Sequence, residues 1–398
     1  MEKHVILFDD SRWEHLLPLT YTRPVALIRL GILTIKEKWE KILKVHCYFH
    51  TKDYLSEKFP LPKNNAPCLL INGGVLPDET LVKKIQSLTI GNALAYKSTL
   101  VAAYLPSLPD SSFLPDPEVF PNTQELSDEP LAIFHPWDIF TLNGKALEKD
   151  FELITRGKKS QPLSPTNNVL NPERVFVEEG AKLECATLNA QTGPIYIGAN
   201  AEVMEGSLVR GPFAICEGST LKLGAKIYGP TTIGPSCKVG GEVNNSIFFS
   251  NSNKAHDGFL GNSVIGEWCN IGADSNNSNL KNNYAEVKLW CYAKQSFVNT
   301  GLQFCGLIMG DHSKCGINTM FNTGTVVGVS ANIFGDGFPR NFIPCFSWGG
   351  AQGYTTYKLD KAIETAQKVM ERRGIELDEK EINILSKVFE LSAYFRRF

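Results

Sequence analysis

His256 is the residue of this chain best suited to moving a proton. It is one of seven histidines in 398 residues, and a neutral imidazole can take a proton from an amine or an alcohol near neutral pH because its ordinary pKa lies close to that range. The stretch around it reads SNKAHDGFLGNSVIGEWCNIGADSNNSNL. It holds Lys254, a cation of the kind that meets a phosphate, Asp257, and asparagines that include Asn253, Asn262, Asn270 and Asn279. Asparagine tolerates left-handed backbone geometry, so much of this amide cluster reads as corner structure rather than chemistry.

Corners imply something that turns. From Ile197 an aliphatic residue returns every sixth position through Val203, Val209, Ile215, Leu221, Ile227, Ile233 and Val239, and the pattern resumes at Met309, Cys315, Phe321, Val327 and Ile333. Neither a helix nor an ordinary strand has that period; it describes a chain coiling through short flat segments that bury one side chain per hexad, a parallel β-helix. The asparagine-rich residues 244–283 interrupt the repeat and are expected to loop out, which is where repeat proteins place binding sites. Residues 359–373 and 377–395 carry amphipathic helical spacing and are expected to brace the coil. Ahead of the coil, buried-strand patterns at VILF and Cys68–Asn72, helical spacing at 28–45 and 80–87, and a further strand at 94–105 indicate an α/β domain. The proline-rich residues 106–130 read as an irregular excursion and 157–168 as a linker. The expected domains are therefore 1–160, 169–348 and 349–398.

Composition excludes several classes. Forty basic and 42 acidic residues leave a formal charge of −2, so no strong global field draws the chain to nucleic acid or to an anionic membrane. The ten cysteines are scattered without a two-residue spacing and read as reduced core thiols. The amino terminus lacks the long apolar core of a signal peptide and no run of 18 apolar residues occurs, so a cytoplasmic location is expected.

The segment Ser252–Gly266, followed by Asn270-Ile271-Gly272-Ala273 and then Asn279, resembles the acetyltransferase half of the bifunctional N-acetylglucosamine-1-phosphate uridylyltransferase/glucosamine-1-phosphate acetyltransferase family. The resemblance implies a left-handed β-helix and a homotrimer with clefts between neighbouring coils. It implies acetyl-CoA as acyl donor, with His256 as the base that deprotonates a sugar amine and Asn270 and Asn279 orienting the amine or the histidine. It assigns backbone contact with acetyl-CoA to Ala273, and through GDHSKCGINTMFNTG it assigns the cofactor arm to Lys314, Ile317 and Gly335. Arg210 and Lys288 fall near the family's phosphate-binding basic residues, while Lys254 stands one residue closer to the histidine than the family's lysine. Phe259 stands where the family has tyrosine, which puts the identity of the acceptor sugar in question.

The amino-terminal phrase LPLTYTRPVAL, residues 17–27, resembles a segment of sugar-1-phosphate nucleotidyltransferases, which carry a Rossmann-like domain. Those enzymes use a glycine-rich loop, a lysine and an aspartate that holds magnesium. Here the loop is replaced by Asp9-Asp10-Ser11-Arg12, Val25 takes the lysine position, and the strand expected to end in the metal aspartate ends at Asn72. Substitutes are present: Arg23 and Arg29 for phosphates, Lys36 or Lys38 for the missing cation, Asn72 for the nucleotide, and Asp9 or Asp10 for Mg²⁺. The combined expectation is acetyl-CoA-dependent N-acetylation of an amino-sugar 1-phosphate coupled to nucleotidyl transfer from UTP or dTTP. The alternative is a degenerate nucleotidyltransferase half, leaving an acyltransferase alone or a nucleotide-sugar-binding scaffold. A three-histidine metal site of the γ-carbonic-anhydrase type ranks far lower, since only His256 and His312 lie in the coil.

Overall fold

The computed structural model of the chain describes residues 3–110, 113 and 115–398. They form two compact units whose division does not follow the sequence. The first comprises residues up to Leu16, Thr22–Ile28 and Leu33–His135; the second comprises Leu17–Tyr21, Arg29–Ile32 and everything from Pro136 onward.

The first unit is built on a six-stranded sheet in the order β2-β1-β3-β5-β4-β6. Here β1 is His4–Phe8, β2 Cys47–His50, β3 Cys68–Asn72, β4 Asn92–Tyr96, β5 Thr99–Leu105 and β6 Asn122–Glu125. β2, β1 and β3 run parallel, and β1 and β3 are buried along their whole length, as their unbroken apolar runs require of strands covered on both sides. β5 is antiparallel to both β3 and β4, with Lys97 at φ 51° turning the β4–β5 hairpin. The proline-rich excursion contributes the exposed edge strand β6, paired in parallel with β4. The helix expected over 28–45 is shorter, Ile35–Leu43. It starts at a capping box in which Thr34 and Glu37 bond one another's backbone N–H, and it stops at Lys44 in the left-handed region. Its delayed start has a plain cause: Arg29–Ile32 belongs to the other unit.

The second unit is a parallel β-solenoid with three flat faces. The first face holds six strands, from Asn168–Leu170 to Phe259–Gly261; the second holds nine, from Val175–Val177 to Phe342–Ile343; the third begins at Lys182–Leu183 and counts ten. Hexad residues stack inward in register: Val177, Ile197, Ile215 and Ile233 on the second face, and Leu183, Val203, Leu221 and Val239 on the third, all at or near complete burial. Between the second and third faces each turn reverses through a residue in the left-handed region. Successive turns use Ser236, Asn251, Trp268, His312, Ser330 and Phe346, with φ between 54° and 61°. The strain of left-handed geometry in bulky residues such as Trp268 is offset by the register that each corner maintains.

The coil does not break where the sequence pattern fades. Strands at Ile247–Phe248, Asn253–Lys254, Phe259–Gly261, Val264–Ile265 and Asn270–Ile271 continue all three faces. What loops out lies later, as an antiparallel hairpin of Lys288–Cys291 with Ser296–Asn299. Of the expected loop at 244–283, the part up to Asn277 is therefore coil, and only its last residues enter the insertion that runs on to the strand Leu307–Met309. The period is irregular there because the turns shorten: Val243, Phe248, Leu260, Ile265 and Ile271 still point inward, but Val239, Val243 and Phe248 follow one another at spacings of four and five residues rather than six. Among the ten cysteines, none disulfide-bonded, only Cys185 is exposed, and burial raises the Cys237 and Cys269 thiols, the former to about 12.

The helix Pro136–Thr155 belongs with the coil, tied there by two buried polar side chains. The Asn143 amide donates to Pro230 O (2.9 Å) and accepts from Gly31 N (2.8 Å) and Thr232 Oγ1 (3.2 Å), while Asp150 accepts from Ile32 N (2.8 Å). Gly31 has φ 79°, and a Cβ there would lie 2.5 Å from Asp150 Oδ2, so only glycine fits that approach. Helices Leu359–Glu371 and Glu379–Leu391 follow the coil. Between them Arg373 donates to Ser236 O and, at 2.9 Å, to Asn253 Oδ1. Replacing Asn143 with alanine strands the buried Gly31 N–H and Pro230 carbonyl, and is expected to lower unfolding free energy by about 1–3 kcal/mol in urea denaturation.

Candidate functional site

His256 occupies the corner between the third-face strand Asn253–Lys254 and the first-face strand Phe259–Gly261. It is exposed, as is Asp257 beside it. The same edge of the coil carries the equivalent corners of later turns. Asp274 N donates to Asp257 O (3.1 Å) and Asn318 N to Ala273 O (2.8 Å), stacking the His256, Ala273 and Ile317 corners upon one another. Gly335, at φ 100°, follows the third-face strand Asn332–Ile333 and turns the same edge in the next turn. Four residues singled out from the sequence thus form one column, with Ile317 71% exposed as an apolar element of it. Asn270 and Lys314 pair in register on the adjoining third face. Lys314 Nζ donates to His312 O (2.9 Å), and burial pulls its pKa down to about 8.

The remaining coil candidates lie apart from His256 within one chain. Asn279 sits past the far end of the first-face strands, where its Nδ2 donates to Asn262 Oδ1 (2.8 Å) in a run of corner amides. Arg210 is exposed on the first face and lies three strands from Phe259–Gly261, roughly 14 Å at ordinary strand spacing. Lys288 is exposed on the protruding hairpin, opposite Asn299. Phe259 is half-buried and its ring covers Gly261; a Cβ on that glycine would lie 2.6 Å from Phe259 Cζ.

Lys254 is a correction. Its side chain does not face outward toward a phosphate but into the coil, 1% exposed, where it takes the place of Val239 in the stacked column. Its Nζ donates to Gly240 O (3.0 Å) and to His256 O (2.9 Å). Burial lowers its pKa to about 8, against the opposing pull of Asp257 and Asp274.

In the first unit the candidates gather at the carboxyl ends of β1, β2 and β3, the side on which open α/β sheets bind ligands. Asp9 follows β1 and is half-buried. Its Oδ1 accepts from Val25 N (2.9 Å) and its Oδ2 from Thr51 Oγ1 (2.5 Å). Burial raises its carboxyl to about 7, although both hydrogen bonds oppose the rise. Asp10 pairs with Arg12 and accepts from Asn72 Nδ2 (2.8 Å). Asn72, itself buried, also donates to Leu100 O (3.0 Å) and accepts from Gly74 N (3.0 Å). Both oxygens of Asp9 are engaged by protein donors. The bonds of Asn72 correct one expectation. Asn72 locks the loops after β1 and β3 together and presents no amide to a nucleotide. Among the described residues no three histidine, cysteine, aspartate or glutamate side chains are grouped to hold a metal ion.

Arg23 and Lys38 are buried in the first unit, Arg23 Nη2 donating to Thr22 Oγ1 at 3.4 Å. Arg29 belongs to the second unit, buried, and donates to Ile32 O. Sequence reasoning missed the bonding roles of Arg12 and Thr51, and the contact of Arg373 with Asn253 beside Asn270. Only Arg12 carried a signal, standing where the glycine-rich loop was expected.

Residues 5–159 match the family model described as sugar nucleotidyl transferase. No curated protein matches the chain. Among solved structures it is similar to the UDP-N-acetylglucosamine acyltransferase of Arabidopsis, with 15% identity, 59% of this chain and 82% of that chain covered, and a TM-score of 0.25. It is similar to the enzyme of that name from Bacteroides fragilis 9343, at 14% identity, 59% and 84% coverage and a TM-score of 0.30. A third is AntD, an N-acyltransferase from Bacillus cereus solved in complex with dTDP and coenzyme A, at 12% identity, 52% and 91% coverage and a TM-score of 0.23.

The Asp9 carboxyl gives a test of the first unit. Its folded pKa of about 7 exceeds the ordinary 3.8, so between those values the folded state holds the proton that the unfolded state has lost. The contribution to stability is complete below the ordinary value and disappears as pH rises through about 7. Urea denaturation at successive pH values is expected to show the wild type losing stability relative to Asp9→Asn over that window; a constant difference refutes the assignment.

Proposed function

We infer that the chain is a sugar-phosphate transferase whose coil, left-handed, carries acetyl from acetyl-CoA to the amine of an amino-sugar 1-phosphate resembling glucosamine 1-phosphate. The observation that carries this reading is the exposed His256 on a solenoid edge shared with Ala273, Ile317 and Gly335. The amine nitrogen attacks the thioester carbonyl while His256 accepts a proton from it; the C–N bond forms, the C–S bond breaks, and the coenzyme leaves as its thiol after taking up a proton. Holding both reactants against one edge removes much of the entropic barrier, and backbone donors supply the oxyanion stabilisation, so the groups present suffice.

Within one chain Arg210, Lys288 and Asn279 lie away from His256, which supports a homotrimer in which a neighbouring coil brings basic groups to the sugar phosphate. The match of residues 5–159 to the sugar nucleotidyl transferase family supports a second activity in the first unit, transfer of a nucleotidyl group from UTP or dTTP to the sugar 1-phosphate. One observation favours a second reading of that unit: Asp9, Asp10 and Asn72 are committed to protein partners, as in a domain that binds a nucleotide sugar without transferring it. No helix among the described residues is long and apolar enough to cross a membrane, and a cytoplasmic setting supplies both acetyl-CoA and nucleoside triphosphates.

A panel of hexosamine 1-phosphates assayed with acetyl-CoA, then with each nucleoside triphosphate, tests both halves. His256→Ala is expected to lower kcat of acetyl transfer at least about 100-fold while the fold and any nucleotidyl transfer persist. Full acetylation by that variant overturns the assignment. Binding of a nucleotide sugar without turnover establishes the second reading of the first unit.

A further inference from the structure

The interior of the coil contains one residue that its packing does not explain. On the third face the inward column runs Leu221, Val239, Lys254, Ile271. A leucine or methionine would fill the same volume without taking a charge out of water, a cost that hydrophobic neighbours do not repay. The side chain is nonetheless there, 1% exposed.

What the ammonium gains is specific. Its two bonds reach the carbonyls of Gly240 and His256, which lie in corresponding corners of two successive turns. One group inside the coil therefore fastens the histidine corner to the corner next to it. That neighbouring corner is stripped to receive the contact. A Cβ on Gly240 would lie 2.6 Å from Ala255 O, and one on Gly241, at φ 72°, would lie 2.9 Å from His256 O. The charged and titratable groups around the ammonium are Asp257 in the same corner, Asp274 in the next, and the Cys315 thiol.

We propose that Lys254 is a positioning residue for His256, holding the backbone of that corner from within the coil so that the imidazole leaves it in a fixed direction. This rests on the reading of His256 as the base, but the contact itself can be judged without that reading.

The experiment uses the full chain as wild type, Lys254→Met and His256→Ala, the last serving only to assign the His256 ring resonance in ¹H–¹³C spectra. Methionine keeps the aliphatic volume and removes every donor. The expected result for K254M is an intact coil by circular dichroism, a displaced or exchange-broadened His256 resonance, and a fall in kcat of about 10- to 100-fold with KM held within about threefold. A His256 resonance superimposed on that of the wild type, or an unchanged kcat, overturns the proposal. If the wild type acetylates no sugar phosphate of the panel, the reading of His256 fails separately and the resonance alone decides the role of Lys254. If K254M does not fold, Lys254→Gln, shorter and uncharged but still a donor, is read by the same two measurements, and an unchanged His256 resonance or an unchanged kcat overturns the proposal.

Discussion

The structure of the second unit depends on register between successive turns of a coil. Each turn contributes only two or three residues to a face, too few for a strand to be stable alone, so every segment is held by hydrogen bonds to the turns before and after it. Residues such as Trp268 and His312 adopt left-handed geometry because the ladder on both sides leaves no other conformation. The same constraint stacks corner on corner, and that is why residues far apart in sequence, His256 and Gly335 among them, share an edge.

The architecture was legible where apolar side chains report it. Ile197 to Val239 repeat without a gap, and the inward stacks follow that reading residue by residue. The reading faltered across 244–283 because the turns there shorten: from Val239 the inward residues fall at Val243 and Phe248, four and five residues on, so a strict count of six loses the frame while the ladder continues. Lys254 shows the same limit from the other side. It stands six residues after Phe248 and six before Leu260, inside the coil, but the shortened turns before Phe248 hide that frame in the sequence, and its charge suggested a ligand.

The first unit was harder to read because its candidate residues are defined by burial. Two adjacent aspartates after a strand look like metal ligands; in the fold one accepts from Val25 and Thr51 and the other is paired with Arg12. Neither partner is close enough in sequence to Asp9 to announce the contact. Residues 5–159 are similar to sugar nucleotidyl transferases, and the polar groups at the carboxyl ends of β1 and β3 within that range are bonded to protein partners.

The division of the chain also constrains how such a protein can be assembled or inherited. Residues 17–21 and 29–32 belong with the coil although they precede nearly all of the first unit in sequence, and Gly31 fits against Asp150 and Asn143 with no room for a side chain. No single cut yields two whole pieces: a shortened chain starting after the first unit lacks the strap that its long helix clasps. During synthesis that strap emerges early and waits for its partners to follow, so recombination that exchanges one half for a foreign domain must carry these few residues along.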